Sequence, residues 1–421
     1  MDEHEMRRCI ERKRDGANLC AQEWDGIVGG FMRGDVDEAQ MAALCMACLW
    51  RGMSFDEAHA LTNAMVESGQ TVSFDAAQGV VVDKHSSGGV SDIVSLVAVP
   101  LAAACGVRVA KLSGRALGHT GGTIDKLETI PGFNAALTIE AFVKQVERIG
   151  CAIAAQTQAF VPADKRIYHL RDHTGTVPAM GLIASSIVSK KIAAGAHAFV
   201  FDVKTGHGAM MQDPRDAREL ARWLVEIAAR FERRATAFVT DMNQPLGRSI
   251  GTGIEVVEAR EFLRGDADSR ALELVRNIAG ALVGEGGFED PEALVQDALR
   301  SGRAYEKFCE MIAAQGGDVK AFESMHPAQP LEVPAPRSGY VAAMDVVRLG
   351  NAGRALSADD PLGGIQMAVR IGDYVEAGAP LLRAFGKHTH GAKPLAHAFT
   401  FSEEPVPPPP LLYDRSISAI K

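Results

Sequence analysis

GVVVDKHSSGGVSDIVSLVAVPLAAACGVRVAKLSG, residues 79–114, sets short β-branched runs against glycine-rich turns. Runs such as VVVD and VRVA suit strands buried on both faces, and each one empties into glycine, serine or a helix. VSF at 72–74 and VSLVAVPLAAACG at 94–106 read as further runs of the same kind, and AHAFVFDVKTGHG at 196–208 returns to a buried strand with a glycine-rich exit. Strand, loop and helix alternating in this way indicate an α/β sheet.

On either side the pattern is helical. Residues 1–66 divide into a charged first helix, then AQEWDGIVGGFMRG, DEAQMAALCMACLWRG and SFDEAHALTNAMVESG, with Asp and Ser at N-caps and glycines closing several of them. Residues 163–194 are helical again and end in GLIASSIVSKKIAAG. The expected architecture is α/β: a small helical lobe assembled from 1–66 and 163–194, and a large lobe with a mixed sheet from 67–162 and 195–330. A C-terminal α/β domain follows over 331–421, where PLEVPAPRSGYVAAMDVV is strand-rich. Its end, EEPVPPPPLLYD, cannot be helical through four prolines and reads as a surface tail or docking strap. A ligand cleft is expected between the lobes.

Composition narrows the function. With 421 residues, 47% hydrophobic and 23% charged, the chain is an ordinary globular protein of two or three domains. A net charge of −9 without a Lys/Arg-rich run argues against a nucleic-acid partner, so an anionic substrate must meet local cations. The charged start MDEHEMRRCIERKRDG lacks the apolar core of a signal peptide, and no apolar run reaches membrane-spanning length. A cytoplasmic location with no membrane partner is the expectation. Seven scattered cysteines favour reduced thiols, and Cys45 and Cys48 lie in the helical pattern MAALCMACLW, which reads as core rather than as a zinc or redox pair.

The chemistry concentrates in SGRALGHTGGTIDKLE, residues 113–128. Glycines let backbone amides approach an anion, and Ser113, Thr120 and Thr123 add hydroxyl donors. A lone cluster of this kind reads equally as a turn. A second one, KHSSGGVSD at 84–92, suggests two cradles sharing one phosphate. In GLIASSIVSKK, Ser186 and Lys190 share a helix face beside Ile183 and Ile187, a setting for a planar heterocycle with carbonyl oxygens. Taken alone, Lys190 reads as solvated and Arg171, in DKRIYHLRDHTG, as a surface residue; together they can hold ring carbonyls.

From the first helix to about residue 325 these motifs resemble those of the pyrimidine-nucleoside phosphorylases, the family that contains thymidine phosphorylase. The shared segments are SGR, GHTGGT and DKLE at 113–128, KHS-x-GG-x-x-D at 84–92, DK-x-x-Y-x-x-RD at 164–172, and LIASSI-x-SKK with DVK-x-G at 182–206. The resemblance implies reversible phosphorolysis of thymidine and deoxyuridine, with uridine as a further candidate, to base and sugar 1-phosphate by a homodimer joined through the helical lobe. It implies phosphate ligands at Lys84, Ser86, Ser95, Lys111, Ser113 and Thr123, and base ligands at Arg171, Ser186 and Lys190, with His85, Arg171 and Lys190 as the catalytic group. His85 would lie nearest the glycosidic bond, protonated or as a hydrogen-bond donor; a purely structural role is the alternative. No cofactor is required for that chemistry. A structural potassium ion is implied at Ser91, Ile93, Leu246, Ser249 and Glu258.

The chain also departs from the family. TGTVPAMGLI at 174–183 replaces TATVDSIPLI, Met210 stands for phenylalanine, Ser91 for glycine, and a GGGR segment is missing near 349–358. Two other readings stay open: a phosphoribosyltransferase of the anthranilate type, although its GTGGD-type loop and acidic metal pair are not evident, and a non-catalytic nucleoside-binding relative.

Overall fold

A computed structural model describes residues 1–116, 118–119, 121–156 and 160–418. Helices α1 (Glu3–Arg14), α2 (Ala21–Arg33), α3 (Glu38–Arg51) and α4 (Phe55–Glu67) open the chain. Asp2, Asp37 and Ser54 cap α1, α3 and α4 by accepting from backbone N–H groups of Glu5, Gln40 and Glu57. Such caps each contribute about 1 kcal/mol. A buried ion pair, Lys13 Nζ to Glu57 at 2.7 Å, ties α1 to α4.

The α/β part then runs β1 (Val81–Ser86), α5 (Val94–Ala104), β2 (Arg108–Ser113), α6 (Thr123–Leu127), α7 (Ile139–Ile149) and β3 (Cys151–Ala155). Next come α8 (Pro162–Thr174), α9 (Met180–Ala193), β4 (Ala198–Thr205), α10 (Pro214–Arg230) and β5 (Arg234–Asp241). β6 (Ser249–Gly251) precedes α11 (Gly253–Leu263), α12 (Ser269–Glu285), α13 (Pro291–Arg300), α14 (Arg303–Ala314) and α15 (Val319–Glu323). The remainder comprises β7 (Leu331–Pro334), β8 (Gly339–Met344), α16 (Val346–Ser357), β9 (Gly364–Met367), β10 (Tyr374–Val375), β11 (Pro380–Phe385), β12 (Phe399–Ser402) and β13 (Leu412–Ser418).

Among the described residues the central sheet has the order β13-β5-β4-β1-β2-β3, with β1 to β5 parallel and β13 antiparallel to β5. Alternation along each strand sends side chains to two different cores. Val82, Val109, Ile153 and Val200 join one that includes α5, α12 and α14; Val81, Ala110, Ala152 and Phe201 join another that continues into the helical bundle. Strand order reverses about β1, which has β2 on one side and β4 on the other. Open α/β sheets place ligands in the crevice beyond the C-terminal ends of strands at such a reversal. Lys84, His85 and Ser86 end β1 there.

Several sequence expectations need correction. VSLVAVPLAAACG forms helix α5, buried from Val94 to Ala103, because a nearly all-apolar run carries no periodicity to separate helix from strand. VSF forms no strand; Val72 N–H instead donates to Ala193 O at 2.8 Å. Of the two readings of the C-terminal end, surface tail or docking strap, the strap fits: beyond the prolines, β13 adds to the central sheet, with Arg218 paired to Asp414 at 2.5 Å. A boundary at 331 is likewise crossed by β6, which sits in the sheet β6-β9-β11-β7, beside a second C-terminal sheet β10-β8-β12.

Candidate active site

The first glycine loop leaves β1 and enters α5. Asp92 shapes it: its carboxylate accepts from Ser86 Oγ at 2.6 Å and from Val94 N–H at 3.1 Å, closing the loop onto the helix start. A Cβ at Gly89 would lie 2.4 Å from Met242 Cε, so any larger residue there would have to displace that side chain. Lys84 is fully buried behind the loop, with Nζ 3.5 Å from Ser95 Oγ, 3.4 Å from Asp202 and 4.0 Å from Asp92. Asp202 also pairs with buried Lys204 at 2.8 Å. Burial alone would raise the Asp92 pKa, but Lys84, Lys204 and Lys126 outweigh it and keep the carboxylate ionised.

The second glycine loop leaves β2. Lys111 is buried and its Nζ donates to Lys84 O at 2.7 Å, so the two strand ends are joined at the lysines themselves. Burial, reinforced by Lys191, lowers its pKa to about 7. Arg115 bridges Asp125 and Glu128, and Ala116 N–H donates to Asp125, which folds the loop back on itself. A Cβ at Gly122 would meet Ala116 N at 2.3 Å. Ser113 and Thr123 are half-buried at the two ends of this loop, and Thr120 lies outside the described residues. His119 Nε2 is 2.9 Å from Gly208 O, which ties the loop to the turn after β4.

Helix α9 carries the other group. Lys190 Nζ donates to Ser186 Oγ at 2.9 Å and pairs with Asp164 of α8 at 2.6 Å. Ile183 and Ile187 are buried nearby. Arg171 is only 1% exposed, and its Nη1 and Nη2 donate to Leu182 O at 3.2 Å and Val177 O at 2.7 Å. The altered 175–180 segment therefore wraps the guanidinium, with Gly175 at φ 67 turning the chain off α8. Two of the five guanidinium N–H groups serve these carbonyls, while buried Nε has no acceptor among the described residues. Met210 is 45% exposed.

His85 faces the α9 side of the sheet, opposite Phe201 in register, with ring centroids 6.3 Å apart. Burial, then the charges of Lys191, Lys111, Lys84 and Lys190, hold its pKa well below the usual histidine value. The ring is neutral at pH 7, so of the two forms expected for it the hydrogen-bond donor is the one this structure favours and the protonated one is not.

The oxygens implied for potassium also converge. Ser91 O accepts from Gly247 N–H at 3.1 Å, and Glu258 accepts from Arg248 and Ser249 N–H groups at 2.7 and 2.5 Å. A Cβ at Gly247 would lie 2.6 Å from Glu258 Oε1 and 2.7 Å from Ser91 Oγ, so its absence leaves both oxygens facing one space. Ser91 Oγ is buried without a partner among the described residues. All are hard oxygen donors, which fit an alkali cation. Two members are less open: Ile93 O accepts from Leu96 and Val97 N–H groups, and Leu246 O accepts from Arg370 at 3.1 Å.

Sequence reasoning missed the charges that hold these groups in place. Lys191 pairs with Asp83 at 2.7 Å and donates to Leu112 O at 3.0 Å, fixing α9 to β1 and β2. Lys126 pairs with Glu255 at 2.6 Å and donates to Asp92 O at 3.0 Å, linking the two glycine loops to α11. For the first pair the signal was available as a charge inside an apolar strand, Asp83 in VVVDKHS, and in the second lysine of SKK.

Comparison with known proteins gives the family of the chain. Residues 78–305 match the model described as "Glycosyl transferase family, a/b domain", and residues 7–69 match "Glycosyl transferase family, helical bundle domain". A pyrimidine-nucleoside phosphorylase of Geobacillus stearothermophilus is 41% identical over 96% of this chain and 98% of its own. One from Staphylococcus aureus (strain USA300) is 44% identical over 89% of this chain and 90% of its own. The crystal structure of anthranilate phosphoribosyltransferase from Thermus thermophilus superposes with a TM-score of 0.59 over 73% of this chain and 99% of that chain, at 20% identity, a likeness of fold alone. On identities of 41% and 44% that span most of both chains, this chain belongs to the pyrimidine-nucleoside phosphorylase family.

Proposed function

We propose that this protein catalyses the reversible phosphorolysis of pyrimidine nucleosides, with thymidine and deoxyuridine as substrates. The observation that carries the reading is the pairing of two glycine loops, ending β1 and β2, with the Ser186–Lys190 face of α9 across the sheet reversal. Lys84, Ser86, Ser95, Lys111, Ser113 and Thr123 bind inorganic phosphate, and Ser186, Lys190 and the unused donors of Arg171 bind the pyrimidine carbonyls. A phosphate oxygen forms a bond to C1′ as the C1′–N1 bond breaks, and that electron pair leaves on the base, spread over O2 and O4. Lys190 and a hydrogen bond from neutral His85 stabilise this charge, the kind of donor whose loss costs about 10²–10³ in kcat. The base then takes up a proton and the sugar leaves as its 1-phosphate.

A bound potassium ion would hold the first glycine loop against α11 through Ser91, Glu258 and neighbouring carbonyls. A homodimer through the helical lobe is supported by Met46 and Trp50, one turn apart on α3 and 38% and 80% exposed. Cytoplasmic location is supported by the seven cysteines, all free thiols, and no helix among the described residues is long and apolar enough to cross a membrane.

The test is incubation with phosphate and, separately, thymidine, deoxyuridine or uridine, scoring free base and sugar 1-phosphate; a parallel arm offers anthranilate and a pyrophosphoryl sugar with magnesium. Product in the second arm alone, or in neither, refutes the proposal.

Two variants bear on roles. His85→Ala lowers kcat by about 10²-fold while phosphate KM changes far less; steady-state kinetics giving equal turnover would remove His85 from the chemistry. Lys111 sets a pH dependence. With its pKa lowered to about 7, it is protonated below that pH and loses its charge above it, so phosphate KM rises as pH climbs through 7. Phosphate ionises in the same window, so Lys111→Arg isolates the side chain: its guanidinium stays charged, and the Lys111-dependent rise disappears. Identical KM–pH profiles in parent and variant would contradict this.

A further inference from the structure

Ser91 bears two costs that the phosphate loop does not require. Its φ of 59 is in the left-handed region, where glycine sits without strain and a Cβ is penalised. Its side chain is 1% exposed and its Oγ has no hydrogen-bond partner among the described residues. Glycine at this position would remove both.

What the hydroxyl faces gives it a purpose. The missing Cβ of Gly247 leaves Ser91 Oγ and Glu258 Oε1 directed at one space, each within 2.7 Å of the point that Cβ would take. Glu258 is half-buried on α11, and the neighbouring guanidinium groups of Arg248 and Arg370 are paired instead with Asp268, at 3.5 and 3.2 Å. Carbonyl, hydroxyl and a single carboxylate make a donor set suited to a monovalent cation, since sites for calcium or magnesium gather more carboxylates or retain several waters.

We propose that the Ser91 hydroxyl is a ligand for a monovalent cation held between the loop after β1 and α11, and that this ligation offsets the left-handed backbone of Ser91. The cation then contributes to the joint between the Asp92 loop, β6 and the C-terminal sheet. None of this depends on which reaction the protein catalyses.

The test is thermal unfolding at constant ionic strength, exchanging choline chloride for KCl, on the parent chain, Ser91→Gly and Ser91→Ala. In choline alone, Ser91→Gly melts at or above the parent, because its strain is gone. Potassium raises the melting temperature of the parent, and Ser91→Gly needs roughly tenfold more to reach half of its own rise. Ser91→Ala, which keeps the Cβ and loses the oxygen, melts below Ser91→Gly in choline and shares its weakened potassium response. Absence of a potassium effect in the parent, or equal half-saturating potassium in parent and Ser91→Gly, would overturn the proposal. If Ser91→Ala does not fold, the other two chains still decide the matter.

Discussion

Lys190→Ala lowers kcat for thymidine phosphorolysis by about 10²–10³-fold, with little change in phosphate KM. The expectation follows from placement. Lys190 is held by Asp164 at 2.6 Å and by Ser186 Oγ at 2.9 Å, so its ammonium has a fixed direction rather than the freedom of a surface lysine. In the proposed reaction it faces the departing base, where negative charge develops. An ammonium that merely stabilised α9 through Asp164 would show the loss in unfolding rather than in turnover. Asp164→Asn separates the two: it leaves the ammonium in place but loosens its direction, and kcat falls by less than in Lys190→Ala. Steady-state kinetics with saturating phosphate read both, and a change of about twofold or less in Lys190→Ala would return this residue to the solvated role.

Lys191→Met is expected to be the most destabilising of these substitutions, at about 3–5 kcal/mol, because it strands the Asp83 carboxylate inside the sheet. Asp83 is fully buried on β1, and its other oxygen has no partner among the described residues. The same lysine donates to Leu112 O, so its loss frees α9 from two strands at once. Combining it with Asp83→Asn removes the stranded charge and recovers part of the loss, which would not happen if Lys191 acted only through its contact with Leu112. The measurement is the urea midpoint of each chain. A midpoint within error of the parent for Lys191→Met would show that water or a rearranged side chain meets Asp83.

The glycine loops were legible because their chemistry leaves its mark locally: Gly122 is required by the close approach of backbone, and the lysines stand close to each strand end. The α1, α3 and α4 helices were legible for a similar reason, since Asp2, Asp37 and Ser54 are caps written in sequence. Failures came where the signal is non-local. Helix α5 is apolar on every side, so no face distinguishes it from a strand. Strand β13 follows four prolines, and only its partner β5, far earlier in the chain, reveals it as part of the sheet. The charge pairs Lys191–Asp83 and Lys126–Glu255 join residues more than a hundred positions apart, and spacing along the chain says nothing of them. For Arg171 the residue was found but its surroundings were not, because the wrapping carbonyls at 177 and 182 come from backbone.

Oxygen-labelled phosphate shows directly whether both glycine loops present one inorganic phosphate as the nucleophile to a sugar carbon. Thymidine is incubated with phosphate labelled at all four oxygens, and the products are weighed by mass spectrometry. Thymine is expected together with a deoxyribose 1-phosphate that retains every labelled oxygen, the bridging one included. Free deoxyribose bearing a solvent oxygen, formed at the same rate with and without phosphate, would contradict it.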